Sequence, residues 1–368
     1  MNIRKTSAFL YAACMIILIL DTQTAIRGAA EGIEICLKSL IPSLFPFFIF
    51  STLLTGSLAG QTIKILRPID KLCRIPKGSE SLLAIGILGG YPVGAQNVVL
   101  SWKEGHLATD DACRMVVFCN NAGPAFIFGF LGQMFDWPPM PWVLWLIHIL
   151  SALIVGSLLP GGTEKETHIS NFTHLSFSYA LENSLHAMAR VCGWVILFRI
   201  LLEFLRKWIF WFLPPTVQVM ITGILELSNG CFMMPCLLSD GLRLIFSATF
   251  LGFGGFCVFL QTKSVAQDLP LTWYLPGKTL QGAISFLLSW GTQLLLIPDN
   301  SVRISPYLLG IVLLSVLLSA VILRKIEKPV AFSKDLLYNV TSYEKRRTQC
   351  CFERKSNAPV PTASTVLN

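Results

Sequence analysis

Glu226 stands in GILELSNG, in the middle of an otherwise apolar run, where a carboxylate cannot snorkel to a membrane surface. Burial there would raise its affinity for a proton, and its oxygens would equally suit Na⁺. The alternative is a structural ion pair with Arg190 or Arg243. Ser228 and Asn229 follow it and add neutral donors and acceptors. In a second run, CNNAGPAF, Asn120 and Asn121 stand beside Pro124, which removes a backbone donor and frees carbonyls one turn earlier. The two amides can cap that broken end, contact a solute, or both. A third run, GGYPVGAQN, combines Gly89, Gly90 and Gly94 with Gln96 and Asn97. Small residues let backbone approach a ligand, or let two helices cross closely. Arg190, near mid-span in ALENSLHAMARVCGW, is the cation best placed to attract an anion, and His186 lies one turn before it. Arg114, Arg199, Glu203 and Arg243 stand near segment ends and are expected to snorkel; His148 reads as a structural histidine in an apolar helix.

These residues need a membrane scaffold. The chain has 368 residues, of which 53% are hydrophobic and 14% charged, and its mean hydropathy is +0.62. Soluble proteins carry about 25% charge. The composition excludes a soluble enzyme, a nucleic-acid module and a disordered scaffold, and the continuous apolar runs exclude an outer-membrane barrel. The net charge of +8 marks cytoplasmic loops rather than nucleic acid. The eleven cysteines have no metal-binding spacing and read as reduced, small apolar residues. No metal site, resident cofactor, hydrolase motif or ATP-binding loop is expected, so the chain is read as a non-enzyme, with H⁺ or Na⁺ as the coupling ion.

Apolar segments run over 7–20, 33–59, 81–100, 112–134, 141–160, 179–205, 216–238, 241–262, 277–297 and 305–323. The first reads as a transmembrane helix rather than a signal peptide. The basic loop at 61–80 and the basic tail from Arg324 to Asn368 place both ends inside; the glycosylation patterns at Asn171 and Asn339 fall in such cytoplasmic segments. Segments 81–100 and 216–238 are interrupted by Gly and Pro, which hydrocarbon does not tolerate unless the freed backbone is buried in protein or faces water. Both are therefore expected to be re-entrant. The fold class is all-α polytopic membrane protein, with about eight transmembrane helices plus two re-entrant hairpins.

The broken segments also repeat. GIL at Gly86–Leu88 recurs at Gly223–Leu225, and each hairpin is followed by a second interrupted span, 118–133 and 247–261. Counting spans gives the two units opposite directions, the pattern of secondary transporters. The expected organisation is an N-terminal helix (1–29), a first repeat with its following helix (30–160), a cytoplasmic loop (161–178), an inverted second repeat (179–297), a last helix (298–323) and a basic tail (324–368).

SLIPSLFPFFIFSTLL (39–54), GGYPVGAQ (89–96), CNNAGPAFIFGFLG (119–132) and LELSNG (225–230) resemble the YlbJ/SpoVV family of sporulation integral membrane proteins, within the nucleoside-recognition (Gate) group. The resemblance covers residues 30 to 323. It implies a fold similar to concentrative nucleoside transporters and export of dipicolinic acid from the mother cell across the outer forespore membrane. The family's broken-helix site maps onto Gly89–Asn97, Asn120–Pro124 and Glu226–Gly230. The second repeat's FLGFGGF lacks the NN-GP pattern of the first. The resulting expectation is a secondary transporter of a small anionic aromatic solute, a dicarboxylate, working in a lipid bilayer without nucleic acid, with homo-oligomerisation left open. The alternatives are a carrier of nucleosides or other organic solutes, and a non-transporting sporulation scaffold.

Overall fold

The computed structural model describes residues 3–58, 61, 63–161, 176–237, 239–266, 268–296 and 306–325, and no strand occurs among them. The expected basic tail from 326 onward and most of the 161–178 loop, with Asn171 and Asn339, lie outside the described residues. Three helical stretches, Thr22–Leu58, Met140–Leu158 and Asp240–Ala266, are long and apolar enough to cross a membrane.

Helix α1 (Ile3–Leu20) ends at Asp21, whose carboxylate accepts from the Thr24 N–H and starts α2 (Thr22–Ile35). A π turn at Cys36–Leu40 carries the helix on into α3 (Ile41–Leu58). The second apolar segment thus belongs to a helix that begins at Thr22, not near Ile33, and crosses the boundary drawn at 29/30. The reason is that α2 packs through small residues rather than large apolar ones. Gly28 and Gly32 lie against the backbone of Ile200 and Ile196, where an added Cβ would come within 2.8 and 2.9 Å of the Cα atoms.

After α4 (Arg67–Cys73) the chain forms two units of like order. In the first, α5 (Glu80–Gly89) and α6 (Val93–Lys103) fold back on each other about Gly90–Pro92. Then α7 (Thr109–Cys119) unwinds at Asn120–Gly123 before a π turn at Ala125–Phe130, and α8 (Met140–Leu158) follows. In the second, the long α9 (Phe177–Trp208) precedes α10 (Pro215–Leu225) and α11 (Leu227–Leu237), which fold back about Glu226. Next come α12 (Asp240–Phe253), broken at Gly254 from α13 (Gly255–Ala266), and α14 (Tyr274–Leu296). The two GIL strings sit at the same place, the last turn before each hairpin break. The last described helix is α15 (Pro306–Lys325).

The side-chain distribution is that of a membrane protein. On α8, Trp142, Leu146, Leu150, Ile154 and Leu158 form an exposed stripe at i, i+4 spacing, while His148 and Ser151 are buried on the opposite face. A helix in water would do the reverse. Every cysteine with a described side chain is a free thiol.

Candidate functional site

The four helix breaks meet. Gly90 (φ 75°) faces the unwound segment of α7 so closely that an added Cβ would lie 2.9 Å from the Gly123 nitrogen. Gly255 (φ 82°) sits against the backbone of the second hairpin's turn, with the Leu227 nitrogen 3.4 Å from its would-be Cβ. Across the units, the Tyr91 hydroxyl donates to the Leu251 carbonyl at 3.0 Å. Between the breaks lies a cavity of about 50 Å³, room for roughly three or four waters. Its wall takes Gly89, Gly90 and Tyr91 from the first hairpin, Ala122 and Gly123 from the unwound segment, Glu226, Leu227 and Ser228 from the second hairpin, and Val258 and Gln261 from α13. The long helices close it with Leu40, Leu44, Phe47, Phe48, Val191 and Val195, and Phe126 adds a further aromatic face.

Each break leaves backbone donors without helical partners, and in three of the four a side chain satisfies them. The Glu226 carboxylate accepts from the Ser228 N–H at 3.0 Å and from the Asn229 N–H and Nδ2 at 2.6 Å, closing the N-terminus of α11. Asn120 Oδ1 accepts from the Ala95 N–H (3.3 Å), while its Nδ2 donates to Thr262 Oγ1 and Tyr274 Oη, both at 2.9 Å. His148 Nε2 accepts from the Ala122 N–H at 3.0 Å. That bond assigns the ring proton to Nδ1. His148 is therefore structural, as expected, and what it holds is the break itself.

Sequence reasoning missed Lys278. It lies on α14, 1% exposed, and its Nζ donates to the Asn120 carbonyl (2.5 Å), Gln281 Oε1 (2.8 Å) and Asn121 Oδ1 (3.3 Å). Gln281 Nε2 also donates to Asn121 Oδ1 (3.1 Å), and Asn121 Nδ2 donates to the Phe118 carbonyl (2.6 Å). The ammonium lies 5.5 Å from the Tyr91 ring centre and 5.9 Å from that of Tyr274. The available signal was a lysine inside an apolar segment. That signal is weak in the sequence, because Lys278 is the second residue of the apolar segment 277–297, whereas α14 begins at Tyr274.

Of the other expected site residues, Gly89, Gly90, Glu226 and Ser228 border the cavity. Gly94 packs against the Cys119 carbonyl instead, Asn97 Nδ2 returns to the Val93 carbonyl (2.9 Å), and Gln96 is half-buried on α6. Asn120, Asn121 and Asn229 form the layer behind the wall. Arg190 is exposed, with its Nε donating to the His186 carbonyl, and shares an outer face of α9 with Glu182 and His186. The buried face of that helix passes through Val191, Val195 and Arg199.

Arg199, expected to snorkel, is buried. It pairs with Glu31 and Glu203 and donates to Asn229 Oδ1 at 3.3 Å. It thus reaches Glu226 through Asn229, replacing the expected pairing with Arg190 or Arg243. Glu203 is likewise buried, between Arg199 and Arg206. Arg114 is also buried, donating to the carbonyls of Cys73 and Arg74 and facing Asp111 at 3.4 Å. Arg243 pairs with Asp240 at 2.9 Å.

The chain is similar to the sporulation integral membrane protein YlbJ of Bacillus subtilis (strain 168), with 29% identity over 199 residues. The comparison supports the YlbJ family. The match covers 51% of this chain and 48% of that protein, so the chain spans about half the length of the curated relative it matches. No family model and no solved structure matches the chain. With the apolar exposed faces and the buried polar breaks, the YlbJ similarity places this chain among helical integral membrane proteins.

Proposed function

We propose that the chain is a secondary carrier of a small aromatic organic solute and that the cavity between the helix breaks is its solute site. The observation that carries this reading is the convergence of all four interrupted helices on one cavity. Polar backbone is held inside a membrane protein at a cost that a passive scaffold has no need to meet. The two units are read as inverted repeats. The cavity is smaller than an aromatic ring, so loading requires its wall to open.

The first candidate solute is dipicolinate, moved across the outer forespore membrane during sporulation. The YlbJ similarity supports the sporulation setting, and Phe47, Phe48, Phe126 and Tyr91 supply faces for a ring. A specific observation favours a second reading. Glu226 already puts a carboxylate in the wall, which suits a neutral, hydroxyl-rich solute such as a nucleoside better than a dianion.

Uptake into proteoliposomes separates the two. The first reading expects saturable uptake of labelled dipicolinate, lost in Glu226→Ala, unchanged in Arg190→Ala, and not competed by uridine. Competition by uridine without competition by dicarboxylates selects the second. Absence of saturable uptake for both solutes overturns the carrier reading.

A further inference from the structure

We propose that Lys278 is a resident cation that fills the cation position created by the unwound segment Asn120–Gly123, so that the carrier works without bound sodium. The inference rests on reading the cavity as a carrier site, and its test needs no transport.

Breaking a helix turns carbonyl oxygens away from their own N–H partners, and such oxygens are what a carrier uses to coordinate a coupling cation. Here a side-chain ammonium already occupies that place. Its three oxygen partners are a freed backbone carbonyl (Asn120) and two amide oxygens (Asn121 and Gln281), a neutral oxygen set of the kind that binds an alkali ion. The tyrosine rings of residues 91 and 274 approach it from further sides. The titratable groups facing it are His148 on α8, Cys119 on α7, and those two tyrosines; none is a carboxylate. A lysine placed for an ion pair would face an acid. This one faces a cation-coordinating shell and supplies the positive charge itself. It also ties α14, in the second unit, to the first unit through Asn120 and Asn121 of the unwound segment and the Tyr91 ring at the turn of the first hairpin.

Thermal unfolding of the full chain in detergent, in sodium chloride against choline chloride, tests this. The wild type is expected to have the same Tm in both salts. Lys278→Met keeps the apolar stem and vacates the oxygens. It is expected to lose stability in choline and to regain it with a saturable upward shift of Tm in sodium or lithium, following mass action. If Lys278→Met does not fold, Lys278→Ala purified with methylammonium substitutes for it, and exchange of methylammonium for sodium is read. A saturable sodium-dependent rise in the wild-type Tm overturns the proposal. So does a vacated variant indifferent to sodium, lithium and methylammonium alike. Failure to transport any solute would overturn the carrier reading and leave these unfolding curves as they are.

Discussion

The hydroxyl of Tyr91, at the turn of the first hairpin, donates to the carbonyl of Leu251, three residues before the break at Gly254, at 3.0 Å. It is a direct polar link between the two units at the level of the cavity. Removing the hydroxyl with Tyr91→Phe leaves the ring against Lys278 and deletes one hydrogen bond, an expected loss of about 1 kcal/mol. Tyr91→Ala also removes ring packing and is expected to lose about 3–5 kcal/mol. Chemical denaturation in detergent reads both. Equal losses in the two variants would show that the ring contributes nothing.

Gly86 and Gly94 let the first hairpin lie on the end of α7. A Cβ at Gly86 would fall 1.8 Å from the Cys119 carbonyl oxygen, and that obstacle is backbone, which cannot rotate away. Gly86→Ala is therefore expected to destabilise by more than about 3 kcal/mol or to abolish folding. Gly193, mid-helix in α9 with nothing within 4 Å of its would-be Cβ, is the control. Gly193→Ala is expected to be neutral or to stabilise by up to about 1 kcal/mol. A denaturation midpoint for Gly86→Ala equal to that of Gly193→Ala would contradict the close approach.

The breaks were legible because Gly and Pro inside an apolar run have few structural explanations, and all four fall where GGYP, NNAGP, LELSNG and GFGG predict. Glu226 was legible for the same reason: a mid-span carboxylate stands out. What could not be read was direction. Arg190 and Arg199 lie nine residues apart on one helix, and sequence position near a segment end made Arg199 look peripheral. The partner that decides between them, Glu31, comes from α2, whose packing on α9 through Gly28 and Gly32 carries no apolar signature. Capping by Asn120 and a structural role for His148 were legible, but their partners were not, since each takes a backbone N–H from a different helix or break.

Arg199 joins three acceptors on three helices: Glu31 on α2, Glu203 on α9 and Asn229 on α11. Glu203 is 5% exposed, so Arg199→Ala leaves a buried carboxylate with only the more exposed Arg206 beside it. The expected loss is about 3–5 kcal/mol. Arg199→Ala combined with Glu31→Gln is expected to lose less than the sum of the two single changes, by about 0.5–3 kcal/mol. A double-mutant cycle by urea denaturation in detergent measures this, and strict additivity would show that the pair is not coupled.

Asp70 gives the fold a pH dependence outside the membrane-spanning helices. It stands in the basic 61–80 stretch, yet on α4 it is buried, and neither carboxylate oxygen has a hydrogen-bond partner among the described residues. Burial, and then the charge of Glu80, pushes its pKa up to about 6 from an ordinary 3.8. The folded state therefore favours the protonated acid. Its contribution is fully present below the unfolded pKa near 4 and is lost as pH rises through about 6. Asp70→Asn, neutral at every pH, removes that loss. The variant is expected to match the wild type near pH 4 and to unfold a few degrees higher at pH 7.5, with the difference developing between those two pKa values. Thermal unfolding across pH 4 to 8 checks it. A difference that is constant over that range would mean that Asp70 does not change its proton occupancy on folding.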